Sequence, residues 1–350
     1  MRAIPRLSAA IAAAWMAAAT GAVAQTPPKP AQIVVNDSGG AMQNAMRKAF
    51  YDEFEKRYGI KVVATSPVDL GKLRAMVQSN NVEWAVTEIG GQDAILAEES
   101  GLLEPLDLKV IDLSKYPEHL RTRKHVFPKG VYSTVMGYRS DIFKEGNRPK
   151  TWADFWDVQK FPGPRTMQNA ATDNLEFALL ADGVPKDKLY PLDVERAFKK
   201  LDQIKKHVAV WWTTGAQSAQ VLIDKEAVLG TAWNGRYYGA IKNGAPLLIE
   251  WNQGALKESA FGIPKGAKDA HWGQKFLALV AEAKPQGTYA NIIGYPGLNL
   301  EAAKYTDPQM VPYLPTSPQN FPGQFFTDLG WWNKHGKEME ERWQRWMLQK

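Results

Sequence analysis

From residue 32 onward the chain alternates short apolar runs with longer amphipathic stretches. Ile33, Val34 and Val35 centre a run, Gln32 to Asn36, that reads as a buried strand. Asp37-Ser38-Gly39-Gly40 follows as a loop. Between Ala41 and Tyr58 the residues Met42, Met46, Phe50 and Phe54 recur every fourth position, a helical stripe closed by Gly59. Ile60 to Thr65 reads as the next strand. Strand, Gly-rich loop, helix and strand in that order imply a parallel pair and an α/β sheet. The pattern repeats with a helix at Leu73 to Val77, a strand at Trp84 to Glu88 and a helix at Gln92 to Glu99. Val131 to Tyr138 then reads as a strand leaving that unit. Further on, helices are predicted over Thr151–Asp157, Asp173–Ala181, Leu192–His207, Gly235–Asn243 and Gly273–Glu282. Strands are predicted over Ala227–Ala232, Leu247–Trp251 and Ser259–Ile263.

Ahead of this region lies a different kind of segment. Met1 to Arg6 holds two arginines and no acid, Leu7 opens an Ala-rich apolar run, and Ala22-Val23-Ala24 precedes Gln25. That is the form of a signal peptide cleaved after Ala24. No later run approaches the ~20 apolar residues of a membrane span. Export to the periplasm as a soluble protein, without stable membrane insertion, is the expectation.

Composition narrows the chemistry. The 350 residues include 43 basic and 37 acidic side chains, a net charge of +6, and no basic stripe of the kind that binds nucleic acid. Cysteine is absent, which removes thiol nucleophiles, disulfides and thiolate metal sites. The five histidines lack ligand spacing, and neither G-x-S-x-G, Walker A nor G-x-G-x-x-G occurs. No catalytic residue, metal site or cofactor is assigned. Eleven of the 13 tryptophans fall at or after Trp152, so a region of different character begins near residue 131.

Three strand-end junctions draw attention as binding elements. At Ser38-Gly39-Gly40, glycines admit a ligand to backbone N–H groups and to the positive end of the following helix. A turn capped by Ser38 is the equal alternative. Trp233-Asn234-Gly235-Arg236 is a second strand-to-helix junction, and Trp251 ends another strand. Tyr295 sits in the loop Ile293-Gly294-Tyr295-Pro296. Aromatic rings at such points line clefts or fill cores. Glu88, at the end of its predicted strand, joins the candidate set.

These segments, in this order, resemble the family-1 extracellular solute-binding proteins. The resemblance rests on Ser38-Gly39-Gly40-Ala41, Phe54-Glu55 with Gly59-Ile60-Lys61-Val62, Asn234-Gly235-Arg236, and Trp251-Asn252-Gln253. It continues through Ile263-Pro264-Lys265-Gly266-Ala267, Gly294-Tyr295-Pro296, Leu314-Pro315-Thr316, Trp331-Trp332-Asn333 and Arg342-Trp343 with Trp346. Within that family the chain looks like the spermidine/putrescine-type substrate-binding components of ABC transporters. The resemblance implies an α/β, two-lobed type II periplasmic binding fold with the ligand in the cleft. It also implies a monomer that captures a small-molecule solute by lobe closure and hands it to ABC transporter permease subunits. After the 1–24 leader, lobe I is expected over 25–130, lobe II over 131–255, a lobe I return over 256–300, and a C-terminal segment packing on lobe II over 301–350. Crossovers are expected near Val131–Gly137 and Glu250–Ile263.

By the same resemblance Trp233 and Tyr295 fall at ligand-facing aromatic positions and Asp173 near a carboxylate position. Glu258 or Ser259 takes another acidic position, the match being ambiguous by one residue, and Ala170 stands where a further acid is usual. Polyamine is the family's ligand class, so a polyamine such as putrescine or spermidine is the first expectation for the ligand. Arg236 beside Trp233 is either a surface residue or the partner of a ligand carboxylate, and the second option makes a zwitterion such as a γ-amino acid the alternative ligand. Ferric iron held by Tyr237-Tyr238 is a third option, opposed by the ~100° divergence of helical neighbours. An exported hydrolase or transferase on a related scaffold is the competing class, disfavoured by the missing nucleophile and metal patterns.

Overall fold

The computed structural model describes residues 27–349, so the predicted leader lies outside the described residues. One mixed sheet runs through the molecule, built from β1 (Gln32–Asn36), β2 (Lys61–Thr65), β3 (Val86–Gly90), β4 (Val126–Arg139), β5 (Arg165–Gln168), β6 (Val208–Trp212), β7 (Leu229–Trp233), β8 (Leu247–Gly262) and β9 (Phe325–Phe326). The strand order is β2-β1-β3-β8-β4-β7-β5-β6, with β9 on β8. As the entry pattern predicts, β1 pairs in parallel with β2 and β3. β5 is parallel to both β6 and β7. Between these two parallel groups lie the long strands β4 and β8, antiparallel to one another and to β7 and β3 respectively, while β9 runs parallel to β8.

The core divides accordingly. One apolar cluster joins Ile33, Phe50, Phe54, Trp84 and Val86 to Phe127, Phe261 and Phe276. A second joins Met136, Trp152, Phe177 and Leu201 to Trp332, Trp343 and Trp346. Each surrounds one parallel group, so the β4–β8 ribbon links two lobes. It carries two bulges, at Pro128/Gly130 and Thr134/Met136, features that bend and twist a ribbon locally.

The first helix runs as Gly40–Met46, a π-helical turn Arg47–Tyr51, then Asp52–Tyr58, and its stripe residues Met42, Met46, Phe50 and Phe54 are buried. Gly59 closes it in the left-handed conformation at φ 62°. Two predicted strands, Leu247–Trp251 and Ser259–Ile263, turn out to be one strand of 16 residues. The polar Asn252-Gln253-Gly254 segment does not interrupt it: Gln253 takes φ 62° and holds Trp152 through its side-chain and backbone oxygens. The C-terminal helix Leu329–Leu348 buries Trp332, Met339, Trp343 and Trp346 along one face. No described helix is long and apolar enough to cross a membrane.

Candidate functional site

A cavity of about 130 Å³ opens where the two parallel groups meet the ribbon, lined by Ser38, Met42, Val68, Glu88, Gly90, Tyr132, Trp233, Ser259 and Tyr295. Strand pairing explains the convergence. β3 and β4 both flank β8, so Gly90 and Gly130 face Ser259 from opposite sides, while Thr134 pairs with Trp233. Ends of strands from both lobes thus meet at one place, the usual location of ligand crevices in α/β sheets.

The walls are aromatic. Tyr132 stands edge-on to Trp233 at 6.2 Å and tilted to Tyr295 at 6.0 Å. Trp233 in turn packs edge-on against Trp212. Tyr295 lies so close to Gly235 that a Cβ there would come within 2.7 Å of the ring. Glycine at the second junction is therefore what lets the Tyr295 loop seat. Burial raises the Tyr132 and Tyr295 hydroxyl pKa values, so both stay neutral at ordinary pH.

The Ser38 loop does not cap its helix. Gly39 holds the N-cap position, at φ 69°, without a side-chain bond. Ser38 donates instead to Glu88 Oε2, from Oγ at 2.7 Å and from its N–H at 3.0 Å. Lys129 donates to Glu88 Oε1 at 2.5 Å. Burial alone would raise the Glu88 pKa, but Lys129 and the Ser38 bonds outweigh it and hold the carboxyl below its usual range. Beside it, Asp37 accepts from the Gly39 N–H, Gln43 and Tyr51. Burial nevertheless pushes its pKa up.

Asp173 lies on the second lobe's side of the ribbon. It is buried and ion-paired with Lys257, which also donates to Thr134 Oγ1 at 2.7 Å and lies 5.4 Å from the centre of the Tyr132 ring. Its φ of 71° with ψ −42° is a conformation that side chains other than glycine seldom occupy. Arg236 presents its guanidinium 6.0 Å from the Trp233 ring centre, and Gly215 makes room for its Nε. That Nε is buried with no hydrogen-bond partner among the described residues. Asp93, in the first turn of the helix Gly91–Glu99, has its pKa raised by burial, and its charge reaches Tyr132.

Of the sequence-derived candidates, Ser38, Glu88, Trp233 and Tyr295 line the cavity. Gly39 and Gly40 shape the loop that carries Ser38, with Arg236 and Asp173 just behind the walls. Trp251 stands apart, packed against the cluster around Val135, Tyr237 and Leu247. Glu258 faces Arg123 at 3.1 Å, and Ser259 takes the cavity side of the strand. Sequence reasoning missed Lys129, Tyr132, Lys257 and Asp93. Tyr132 was legible as an aromatic on a predicted strand. The lysines had no signal, because only tertiary contacts bury them.

Tyr237 and Tyr238 diverge as helical neighbours must. Tyr237 is buried beneath β4 and β7, whereas Tyr238 packs on Tyr313. No cluster of three or more His, Cys, Asp or Glu side chains suited to a metal occurs among the described residues.

Comparison with known proteins decides the family. A sequence profile for bacterial extracellular solute-binding proteins matches residues 49–316. The chain belongs to that family. It is 33% identical over 321 residues to a γ-aminobutyric acid-binding protein of Pseudomonas aeruginosa, covering 90% of each chain. It is 24% identical over 281 residues to the spermidine/putrescine-binding periplasmic protein of Escherichia coli, covering 74% of this chain and 76% of that one. Among solved structures, a GABA receptor superposes with a TM-score of 0.83 at 39% identity, over 91% of this chain and 98% of the other. The binding protein AgtB of A. tumefaciens R10, in complex with agropinic acid, gives 0.82 at 32% identity over 91% of this chain and 99% of that one. The two-lobed α/β fold is thereby shared. As a solute-binding protein of this family the chain is a transport component and not an enzyme.

Proposed function

We propose that this protein is the periplasmic component of an ABC importer, and that its ligand is a small zwitterion carrying one amine and one carboxylate on a short aliphatic chain, of the γ-aminobutyrate type. The observation that carries the reading is the charge inventory around the cavity. Glu88 is matched by Lys129, Asp173 by Lys257 and Glu258 by Arg123. Arg236, Asp93 and Asp37 form no ion pair among the described residues; Asp37 already accepts from the Gly39 N–H, Gln43 and Tyr51, so Arg236 and Asp93 are the positive and the negative charge left without a partner. A ligand with one charge of each sign complements that pair, whereas a diamine needs two free acids. The guanidinium of Arg236 offers a planar fork for a carboxylate. The amine then lies among Tyr132, Trp233 and Tyr295, whose ring faces attract a cation, with Asp93 as its counter-charge. The cavity is also well below the ~300–1,000 Å³ of drug-sized pockets, which favours a compact solute.

The ligands named for the relatives agree with this order. The γ-aminobutyric acid-binding relative is similar over nine-tenths of the chain, and the polyamine-binding relatives are more distant. Calorimetric titration of residues 25–350 with γ-aminobutyrate and putrescine tests the proposal. γ-Aminobutyrate is expected to bind the more tightly, and Arg236→Ala to weaken it by roughly 30-fold or more, the loss typical of a desolvated charge pair. Putrescine binding more tightly, or Arg236→Ala leaving γ-aminobutyrate affinity intact, overturns the reading.

A further inference from the structure

Two lysines of the connecting ribbon end inside the protein. Lys129 of β4 is 3% exposed and Lys257 of β8 is 7% exposed. Each ammonium meets a carboxylate at the strand-end face of one lobe: Lys129 meets Glu88 of β3, and Lys257 meets Asp173 at the head of the helix Asn174–Ala181. Each also lies near aromatic rings, Lys129 at 5.0 Å and 5.1 Å from the centres of Phe261 and Tyr289, and Lys257 at 5.4 Å from that of Tyr132. A further acceptor completes each set, Met42 Sδ at 3.8 Å for Lys129 and Thr134 Oγ1 at 2.7 Å for Lys257.

Carboxylate, aromatic ring and small acceptor are the parts from which a protein builds a receptor for a ligand's ammonium group. Here two such receptors adjoin the cavity, and the chain's own side chains fill both. Stability does not account for them, since an apolar pair of similar volume commonly serves as well as a buried ion pair. Their placement does point to the ligand. Glu88 lines the cavity from the first lobe, and Tyr132, the ring beside Lys257, lines it from the ribbon.

We propose that Lys129 and Lys257 act as tethered ammonium groups that set ligand selectivity: by occupying both carboxylates they exclude diamines and leave Arg236 to select a ligand bearing a carboxylate. This deepens the zwitterion reading and rests on it for the natural ligand. The device itself makes a separate claim, that an amine site exists beneath each lysine.

Lys129→Ala removes the atoms from Cγ to Nζ, and n-propylamine supplies the same atoms. Thermal denaturation of wild type and Lys129→Ala is followed with n-propylamine, with 1-propanol as the neutral control, and putrescine is titrated into both proteins by calorimetry. The variant is expected to gain a saturable rise in melting temperature with n-propylamine alone, and to bind putrescine at least about tenfold more tightly than wild type, the lower end for close charge pairs. Equal amine responses in the two proteins, or unchanged putrescine affinity, overturns the proposal. If Lys129→Ala does not fold, Lys257→Ala opens the Asp173 site to the same probe. The neutral pair Glu88→Gln with Lys129→Met serves as a reference that should not respond to amine, and a response there also overturns the proposal. Titration of wild type with γ-aminobutyrate separates the two claims. Its failure removes the zwitterion reading, while an amine gain in the variant still establishes the filled sites.

Discussion

The two lobes bring their carboxylates to the cavity in different states. In the first lobe Glu88 is complete: three donors, two from Ser38 and one from Lys129, satisfy both its oxygens. In the second, Lys257 satisfies one oxygen of Asp173, while the other is buried with no partner among the described residues. Asn174 Oδ1 and Glu176 Oε2, one and three residues on, are unmatched as well, and so is Arg236 Nε. Each unmatched buried polar atom costs ~1–3 kcal/mol. Among the groups around Glu88 and Asp173, that concentration on one side, together with the strained backbone of Asp173, leaves the first lobe's carboxylate satisfied and the second's surrounded by unmet polar demand.

The largest expected effect comes from removing the lysines one at a time. Lys257→Met leaves Asp173 with no donor among the described residues, whereas Lys129→Met leaves Glu88 with both Ser38 bonds. Breaking a buried pair costs ~3–5 kcal/mol. Lys257→Met should therefore destabilise by about that amount in urea denaturation, and Lys129→Met by about 1–2 kcal/mol less, given the bonds that remain. The reverse order would break the contrast between the lobes.

The next effect is a pH dependence. Glu176 is buried, accepts from Tyr190 at 2.6 Å and Trp332 at 2.7 Å through one oxygen, and forms no ion pair among the described residues. Burial first, and the Asp173 charge second, raise its pKa from 4.5 to about 7. The folded protein therefore holds this proton more tightly than the unfolded chain does. Its contribution is at full strength below about pH 4.5 and declines as pH rises toward about 7, where the folded-state group also ionises. Glu176→Gln keeps an acceptor for Tyr190 and Trp332 and cannot ionise. It should be more stable than wild type by about 3 kcal/mol at pH 8, with the difference vanishing near pH 4. A pH-independent difference would show that Glu176 ionises normally and would weaken the contrast.

Much of this architecture is visible in the residue pattern, and the gaps have physical causes. Short-range periodicity is enough for β1, the first helix and β2, because each buries one face against its sequence neighbours. Ser38, Glu88, Trp233 and Tyr295 stand at element ends, where a strand order alone brings them together. Lys129 sits between Pro128 and Gly130 and reads as a solvated turn. Distant partners make it an interior residue: Glu88, 41 positions earlier, with Met42, Phe261 and Tyr289. The residue pattern shows β8 as two strands, Leu247–Trp251 and Ser259–Ile263, because the left-handed Gln253 inside the continuous strand is held by Trp152, 101 positions away. Trp251 misled for the opposite reason: an aromatic at an apparent strand end becomes, in mid-strand, an ordinary packing residue.

The smallest effect concerns a one-residue ambiguity that a strand turns into a choice between faces. Successive side chains alternate sides, so Lys257 and Ser259 share one face of β8 and Glu258 takes the other. The structure gives Ser259 to the cavity and Glu258 to Arg123, in a pair whose side chains are 24% and 36% exposed. An ion pair that open contributes at most ~1 kcal/mol. Glu258→Gln should thus change stability by less than that and ligand affinity by less than about twofold, a difference calorimetry resolves. A tenfold loss of affinity would mean that Glu258 turns toward the ligand when the lobes close. The second lobe's unmet charges would then have a counterpart on the ribbon, and the contrast between a finished and an unfinished side would no longer hold.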